Sequence, residues 1–390
     1  GIFIIMFSVI SSGMVAVMTQ NIGAGRPGVA YQARQLGLAF NAVLGVIMSL
    51  FLSLGAGTIL SGVGVADALM QPAKTYLQIV GGFCILNALI PICSSYLRAF
   101  GFSKEPLYAS IIGNVINFCL NAFFLFVLHK GVAGVATATV ISRIINLVIV
   151  VLLGAVLVKA KQHPERESNR AVMGQIIRIG LPSACETAIY NVSMTLVIRF
   201  LNQMDAQGLN VTARSYTMQI TNFSYCVGAA LAQANAIMTG WHIGAKEYDA
   251  CDRGTKKAAV IGVIVAVILE TVFTLCSGWI MQLFSKDPQM VSLVGKLLAI
   301  DIVLEIGRVT NLVYGQALKT SGDAVFPVVM GACFMILCSV GGTYLFGIRL
   351  GLLAVGAYIG MTGDECVRAV GMYLRWKSGK WKEKGLVKSR

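Results

Sequence analysis

The chain has 390 residues, of which 56% are hydrophobic and only 12% are charged, with 31 Lys and Arg against 17 Asp and Glu. This apolar content exceeds what the core of a soluble domain uses, which excludes a water-soluble globular protein, the aqueous enzyme classes and intrinsic disorder. In a membrane protein the net charge of +14 is better explained by topology than by nucleic-acid binding, so we expect no nucleic-acid partner.

Eleven apolar runs follow one another along the chain, and each is long enough to cross a hydrocarbon core of roughly 30 Å as a helix. Their approximate bounds are 2–20, 36–60, 76–97, 108–129, 131–157, 181–201, 215–239, 258–284, 293–318, 324–347 and 350–374. The pattern predicts an all-α integral membrane protein embedded in a lipid bilayer. The ten cysteines lack metal-ligand spacing and we interpret them as packing residues, so neither a cofactor nor a resident metal is expected.

A polar, basic linker at residues 159–178 divides the chain into two parts. Residues 1–158 hold five of the runs, residues 179–374 hold six, and residues 375–390 form a basic tail. When the connections are assigned alternately to the two sides, 21 Lys and Arg fall on the side of the linker and tail and seven on the other. The excess of basic residues predicts that the linker and the C-terminus face the cytoplasm.

Short sequences recur at a nearly constant displacement in the two parts. Ile22-Gly23-Ala24 returns as Ile243-Gly244-Ala245, 221 residues later, and Gly101 before Pro106 returns as Gly322 before Pro327 at the same displacement. Six helices separate equivalent positions, so the two parts have the same orientation and predict two parallel, pseudo-symmetric bundles. Because the second part has six runs and the first has five, we expect one helix to precede Gly1.

Ionisable residues within apolar runs are costly and mark candidate functional positions. Glu186 lies about one helical turn after Pro182, and we interpret it as the leading ion-coupling residue. Asp301, Glu305 and Arg308 share one helical face, with Asn311 one turn further. These groups predict a proton- or cation-binding centre in which Arg308 holds the carboxylates in place; the alternative is that Glu305 and Arg308 only neutralise each other.

Three further sets are candidates with a structural alternative of equal or greater weight. Asn114, Asn117 and Asn121 share a helical face and could ligate Na⁺ or bind a drug, or they could bridge helices at about 1 kcal/mol each. Gln20 and Gln233 occupy related places in the two parts and predict a shared cavity, with packing as an equal alternative. Asp364, Glu365 and Arg368 on the last run are interpreted mainly as a structural group.

Several segments in order resemble the multidrug and toxic compound extrusion (MATE) family, bacterial branch. They are Gln20-Asn21-Ile22-Gly23-Ala24-Gly25, the Gly131–Thr139 segment, Gly180-Leu181-Pro182-Ser183, and Gly322-Asp323 before Pro327. The resemblance covers almost the whole chain, starting at the second of twelve family helices. It implies two six-helix lobes packed as a V, here with eleven of the twelve helices, around a cavity that opens alternately to each side.

The resemblance also implies a function. Family members are secondary antiporters that export amphipathic organic cations and drugs in exchange for Na⁺ or H⁺. Glu186 matches an acidic site on the seventh family helix in some branches, and Glu305, Arg308 and Asn311 together with the Trp376–Trp381 tail resemble a bacterial branch. Asn117 and Asn121 match an N-lobe cation site that has Asp at the second position in other members, so coupling through the C-lobe is the better expectation.

We therefore expect a multi-pass, monomeric antiporter of the bacterial inner membrane, and not an enzyme, since no catalytic constellation or phosphate loop is present. Transient Na⁺ binding is expected at Glu186, Asp301 and Glu305. The runner-up is a flippase for lipid-linked saccharides with a related two-lobe fold. That alternative requires a cavity rich in Arg and Lys, whereas only Arg143, Arg308 and Arg368 lie more than three residues inside the runs.

Overall fold

The computed structural model describes residues 2–159, 163–205 and 208–387, and most of these residues are helical. Residues 160–162 of the predicted linker and 388–390 of the predicted tail lie outside the described residues, as does Gly1. No strand occurs in the described ranges. Fourteen α-helices account for the predicted runs, which confirms the all-α membrane fold expected from the apolar periodicity.

The chain forms two compact units, Gly1–Gly180 and Leu181–Arg390. The first half of the chain contains α1 (Ile2–Gly23), α2 (Pro27–Leu54), α3 (Ala56–Val63), α4 (Asp67–Gly82), α5 (Ile85–Ala99), α6 (Lys104–Ala122) and α7 (Gly131–Leu157). The second half contains α8 (Asn169–Met204), α9 (Leu209–Gly244), α10 (Tyr248–Leu275), α11 (Ser277–Met281), α12 (Pro288–Thr320), α13 (Val325–Phe334) and α14 (Leu353–Lys377).

Two helices change their winding before they end, one of them twice. A π-helical segment, Phe123–Val127, continues α6, and two more, Met335–Val340 and Thr343–Arg349, continue α13. Past the end of α14, a 3₁₀ turn, Lys380–Glu383, forms part of the tail. π-helical turns are rare and occur often at functional sites, so the continuation of α13 marks a region of interest.

Two predicted boundaries differ from the observed ones. The run at 76–97 is divided between α4 and α5, which meet at an angle of 42°; Gly81 and Gly82 directly precede the bend and favour such a break. The linker predicted at 159–178 becomes helical at Asn169. Helix formation is favoured there because Val172 and Ile176 are fully buried, with the backbone of Ile176 lying directly against Gly13 in α1.

Within the described chain, six helices are long and apolar enough to cross a membrane, and the bent pair of α4 and α5 makes a seventh span. The helices α8, α9, α12 and α14 are also long, at 36, 36, 33 and 25 residues. They are more polar because they carry the charged and amide side chains of the second unit. The amphiphilic helices thus coincide with the region that forms the candidate site.

In the second unit, α12 lies at the centre and packs against α9, α10 and α14. Val309 of α12 lies between Gly228 of α9 and Gly262 of α10, where an added methyl group would come within 2.8 or 2.7 Å of its side chain. Val309, Val313 and Ala317 are fully buried and belong to one apolar cluster. The helices α9 and α10 are therefore tightly packed against α12 at this level.

Candidate functional site

A cavity of about 240 Å³ opens within the second unit, between α8, α12 and α14. Its wall combines aromatic and apolar side chains, among them Tyr190, Tyr225 and Met335, with a set of charged and amide groups. That polar set consists of the charged groups of Glu186, Arg308, Lys319, Glu365 and Arg368 and the amide groups of Asn311 and Gln316. Five of these seven were candidates from the sequence, as ion-coupling, substrate-binding or mainly structural groups; Lys319 and Gln316 were not.

Glu186 and Lys319 form an ion pair at the cavity wall. The Lys319 Nζ lies 2.6 Å from Glu186 Oε2, and the two side chains are 14% and 15% exposed. Glu186 follows Pro182 by one turn in α8, and its Cγ packs on Gly331 of α13, where an added methyl group would lie 3.3 Å away. Glu186 has no cation nearby in sequence, and the structure supplies one from the end of α12.

A second network joins α12 to α14 across the cavity. Arg308 forms a short ion pair with Glu305 one turn before it, and its Nε lies 3.8 Å from Glu365 Oε1. Glu365 also accepts a hydrogen bond from Asn311 Nδ2 at 2.9 Å. Its Oε1 lies 2.9 Å from Arg368 Nη2, so Glu365 is shared by two guanidinium groups.

Arg368 is held almost rigidly on α14. It donates two hydrogen bonds to Asp364, at 2.8 and 3.0 Å, and Asp364 accepts a further one from Ser339 Oγ at 3.0 Å. Arg368 and Asp364 are 3% and 2% exposed. The group interpreted from the sequence as structural is thus a bidentate buried pair, and through Glu365 it also forms part of the cavity wall.

Gly307 explains why α12 and α14 come close enough for this network. A methyl group added at Gly307 would lie 2.8 Å from the backbone nitrogen of Cys366 and 2.9 Å from the carbonyl carbon of Glu365. The two backbones are therefore in direct contact one residue before Arg308. This approach brings the Arg308 guanidinium within reach of the Glu365 carboxylate.

Three buried carboxyl groups cluster behind the cavity wall. Glu270 of α10 and Asp301 and Glu305 of α12 each direct an oxygen into one region, with these oxygens all within 4.8 Å of one another. Their exposed fractions are 0%, 1% and 0%. Both oxygens of Glu270, Oδ2 of Asp301 and Oε2 of Glu305 lack a hydrogen-bond partner among the described residues. Oxygen donors of this kind suit a small hard cation or a proton.

Glu270 is the member of this cluster that the sequence analysis missed. It is the single charged residue between Lys257 and Lys286, deep in the apolar run at 258–284. The rule that selected Glu186, an ionisable residue inside a span, applies equally to Glu270 and would have found it. Its partners on α12 could not be inferred from spacing, because they come from a different helix.

Negative charge exceeds positive charge in the combined site. Three cations, Arg308, Lys319 and Arg368, face six carboxyl groups in the cavity and the buried cluster. The carboxyl groups are Glu186, Glu270, Asp301, Glu305, Asp364 and Glu365. Since isolated buried carboxylates are strongly unfavourable, the surplus must be neutralised by protons, by inorganic cations or by a cationic ligand.

The MatE family model matches residues 1–123 and 182–345, which is most of the chain. The chain belongs to the MATE family. This MATE protein is 32% identical over 392 residues to the uncharacterized transporter YisQ of Bacillus subtilis (strain 168), covering 99% of this chain and 86% of the relative. It is 22% identical to the probable multidrug resistance protein NorM of Thermotoga maritima, covering 97% of this chain and 82% of NorM.

A solved MATE structure in the bent conformation superposes with a TM-score of 0.89 at 18% identity, covering 98% of this chain and 86% of that one. The fold of this MATE protein is therefore that of the family. MATE proteins are membrane transporters and not enzymes, and they bind small-molecule substrates in a membrane. The molecule is a multi-pass membrane protein.

The amide groups of the first unit of this MATE protein form a smaller and more exposed set. Asn121 Nδ2 donates to Asn117 Oδ1 at 3.0 Å, and Asn117 Nδ2 lies 3.4 Å from Ser142 Oγ. Asn114 is exposed. Gln20 is fully buried in α1, whereas Gln233 is exposed on α9, and a cavity shared by these two glutamines stays a prediction.

Proposed function

We propose that this MATE transporter is a cation-coupled antiporter that exports amphipathic organic cations by alternating access. In this proposal the coupling ion, Na⁺ or H⁺, binds at Glu270, Asp301 and Glu305. Glu186, expected from the sequence to be the leading coupling residue, faces the cavity and receives the cationic group of the substrate. The surplus of carboxyl groups over basic groups is the single observation that carries this assignment.

The physical reasoning starts from the repulsion within the buried cluster. Three carboxylates whose oxygens lie within 4.8 Å of one another cannot all stay ionised at low dielectric unless a positive ion or a proton joins them. Arg308 contacts Glu305 and also lines the substrate cavity. A change of charge in the cluster is therefore transmitted to the cavity wall through one side chain.

Coupling also requires that the ion and the substrate favour different arrangements of the transporter, because a ligand that binds both equally shifts nothing. Neutralisation of Glu305 by the incoming ion weakens its hold on Arg308. Arg308 is then free to engage Glu365 more closely, which repels a cationic substrate. Binding of the ion in this way weakens binding of the cationic substrate.

The substrate class is supported by the family relatives. NorM of Thermotoga maritima carries the description of a probable multidrug resistance protein, and the cavity of this chain joins aromatic walls to an acidic group. We place the transporter in a bacterial inner membrane as a monomer, with the C-terminus in the cytoplasm. The 21 basic residues on the side of the linker and tail support that orientation.

A flippase for lipid-linked saccharides is less well supported. Such a substrate carries a pyrophosphate and needs free guanidinium or ammonium groups. Arg308, Lys319 and Arg368 line the cavity, but each is paired with a carboxylate. An anionic headgroup would have to compete with these carboxylates, whereas a cation is attracted by them.

Ethidium transport in proteoliposomes tests the proposal, with a sodium gradient and a pH gradient imposed separately. We expect one gradient to drive transport in the wild type, and Glu270→Gln or Asp301→Asn to reduce the driven rate at least tenfold. These positions are chosen over Glu305 because neither removes the partner of Arg308. The matched control is Asp249→Asn, an exposed carboxylate on the first turn of α10, which should stay within twofold of wild type. Full gradient-driven transport by both cluster variants would overturn the assignment.

A further inference from the structure

The ion pair of Glu186 and Lys319 is placed where a substrate must meet it. Both side chains line the cavity of about 240 Å³, and their charged atoms lie 2.6 Å apart. Lys319, in the last turn of α12, already forms an ion pair with the carboxylate to which a cationic substrate would bind. Any ligand that uses Glu186 therefore competes with Lys319.

Displaced from Glu186, the Lys319 ammonium has no equivalent partner among the described residues of the cavity wall. Glu365, the other carboxylate of the wall, accepts a hydrogen bond from Asn311 and lies within ion-pair distance of Arg308 and Arg368. Glu305 is occupied by Arg308 and Asp364 by Arg368. With only 14% of its side chain exposed, a released Lys319 would be a largely buried charge without a counterion, which is strongly unfavourable.

A ligand that carries both charges avoids this penalty. Its cationic group replaces Lys319 on Glu186, and its anionic group replaces Glu186 on Lys319, so one ion pair is exchanged for two. The remainder of the wall, with Tyr190, Tyr225, Leu312 and Met335, suits an aromatic body between the two charges. A simple monocation satisfies only half of the pair.

We infer that Lys319 is a specificity-determining residue that selects zwitterionic amphipathic substrates, with the cation bound at Glu186 and a carboxylate bound at Lys319. The inference rests on the proposed function, since it narrows the substrate class of the same cavity. It adds a binding group for negative charge, Lys319, to a site in which carboxyl groups outnumber basic groups.

The test compares two dyes that differ in a single group. Rhodamine B is a zwitterion at neutral pH, and its ethyl ester is a monocation with the same aromatic body. Fluorescence anisotropy of each dye is titrated with the purified protein. We expect the wild type to bind rhodamine B at least tenfold more tightly than the ester.

Variants of Glu186 and Lys319 test whether these two charges cause the preference for rhodamine B over its ester. Lys319→Met should weaken rhodamine B binding at least tenfold and leave ester binding equal or tighter, because Glu186 is freed. Lys296→Met makes the same substitution at an exposed position of α12 and should keep the wild-type preference. If Lys319→Met is unstable, the double variant Glu186→Gln with Lys319→Met removes the pair without leaving a lone charge, and it should bind the two dyes equally.

Equal binding of the two dyes by the wild type would overturn the inference, as would a preference for rhodamine B that survives in Lys319→Met or in the double variant. Gradient-driven ethidium transport measured on the same protein separates this outcome from a failure of the proposed function. Transport without a zwitterion preference rejects the role of Lys319 alone. A zwitterion preference without gradient-driven transport rejects the antiport mechanism and leaves the role of Lys319 in place.

Discussion

Gly307 is the residue on which the geometry of the charged network depends. At this residue α12 packs so closely on α14 that a methyl group would lie 2.8 Å from the backbone nitrogen of Cys366. Because Arg308 follows directly, the distance between its guanidinium group and Glu365 is set by this backbone contact. A side chain at position 307 would separate the two helices where the cavity wall is built.

Gly307→Ala should therefore destabilise the protein by about 1–3 kcal/mol, the usual range for overpacking, and should weaken dye binding. Melting of the purified protein and anisotropy titrations measure the two effects. Gly254→Ala is the matched control, since it lies within α10 with nothing inside 4 Å of the added methyl group. There the substitution should be neutral or stabilising by up to about 1 kcal/mol. Equal melting temperatures for the two variants would contradict the role given to the backbone contact.

The sequence predicted individual residues of the site better than their partners. The spacing of Glu305 and Arg308 predicted their pairing correctly, because residues three apart face each other on a helix. In the sequence analysis Lys319 was counted among the basic residues of the connections between runs, and it lies one residue before the end of α12. Its contact with Glu186 depends on the packing of α12 against α8. Contacts between helices distant in sequence are not encoded in local spacing.

The described part of the C-terminal tail, residues 375–387, packs against other elements of the second unit. The rings of Trp376 and Trp381 are stacked with centroids 4.1 Å apart and 7° between their planes. Trp376 Nε1 donates to Asp252 Oδ1 at 2.9 Å, and Arg375 Nε donates to Asp323 Oδ2 at 2.7 Å. The tail thereby joins the start of α10 to the connection between α12 and α13.

Trp381→Ala should release the end of the tail, because the indole is 1% exposed and removal of a buried aromatic ring costs about 3–5 kcal/mol. Limited trypsin digestion detects the release as faster cleavage after Lys380, Lys382 and Lys384. Trp279→Ala, at a position that is 71% exposed, serves as the control and should leave the cleavage rate unchanged. A tail that stays resistant in Trp381→Ala would show that the stacked rings are dispensable for its docking.

Helices were predictable as elements because hydrophobic runs of span length are distinctive in sequence. Their ends were less so, as α8 and the bend between α4 and α5 illustrate. The predicted linker becomes helical at Asn169 because an apolar stripe of α8 packs on α1, a contact that composition does not reveal. The π-helical segments after α13 flank Gly342, whose backbone is in contact with that of Gly360 in α14, and local sequence does not reveal this contact either.

At the scale of the whole molecule, the two sequence repeats carry different side chains at equivalent positions. The displacement of 221 residues pairs Glu270 with Ser49, Asp301 with Val80 and Glu305 with Cys84. In the first unit the Ser49 hydroxyl accepts a hydrogen bond from the Ile85 amide at 3.1 Å, at the place that corresponds to the acidic cluster. The three positions of the first unit that are equivalent to Glu270, Asp301 and Glu305 thus carry no carboxyl group.

A double variant of the first unit tests this asymmetry. Asn117→Ala with Asn121→Ala removes the amide pair that was an alternative cation site, and we expect gradient-driven ethidium transport within about twofold of wild type. The reason is that these amides carry no charge and are half-buried, so a coupling ion gains little there. A tenfold loss of driven transport with an unchanged melting temperature would move the coupling site to the first unit.

The packing of Val309 between Gly228 of α9 and Gly262 of α10 restricts the relative motion of these helices. α9, α10 and α12 are unable to slide past one another without a steric clash, so they behave as one stiff block that keeps the three acids at fixed spacing. Deformation then concentrates in the pieces around that block, the proline-containing α8 and the loosely wound continuation of α13, which carry Glu186 and Met335. In the proposed transport cycle, ion binding would then act on the cargo site through Arg308 and these deformable segments, rather than through a change in the spacing of the three acids.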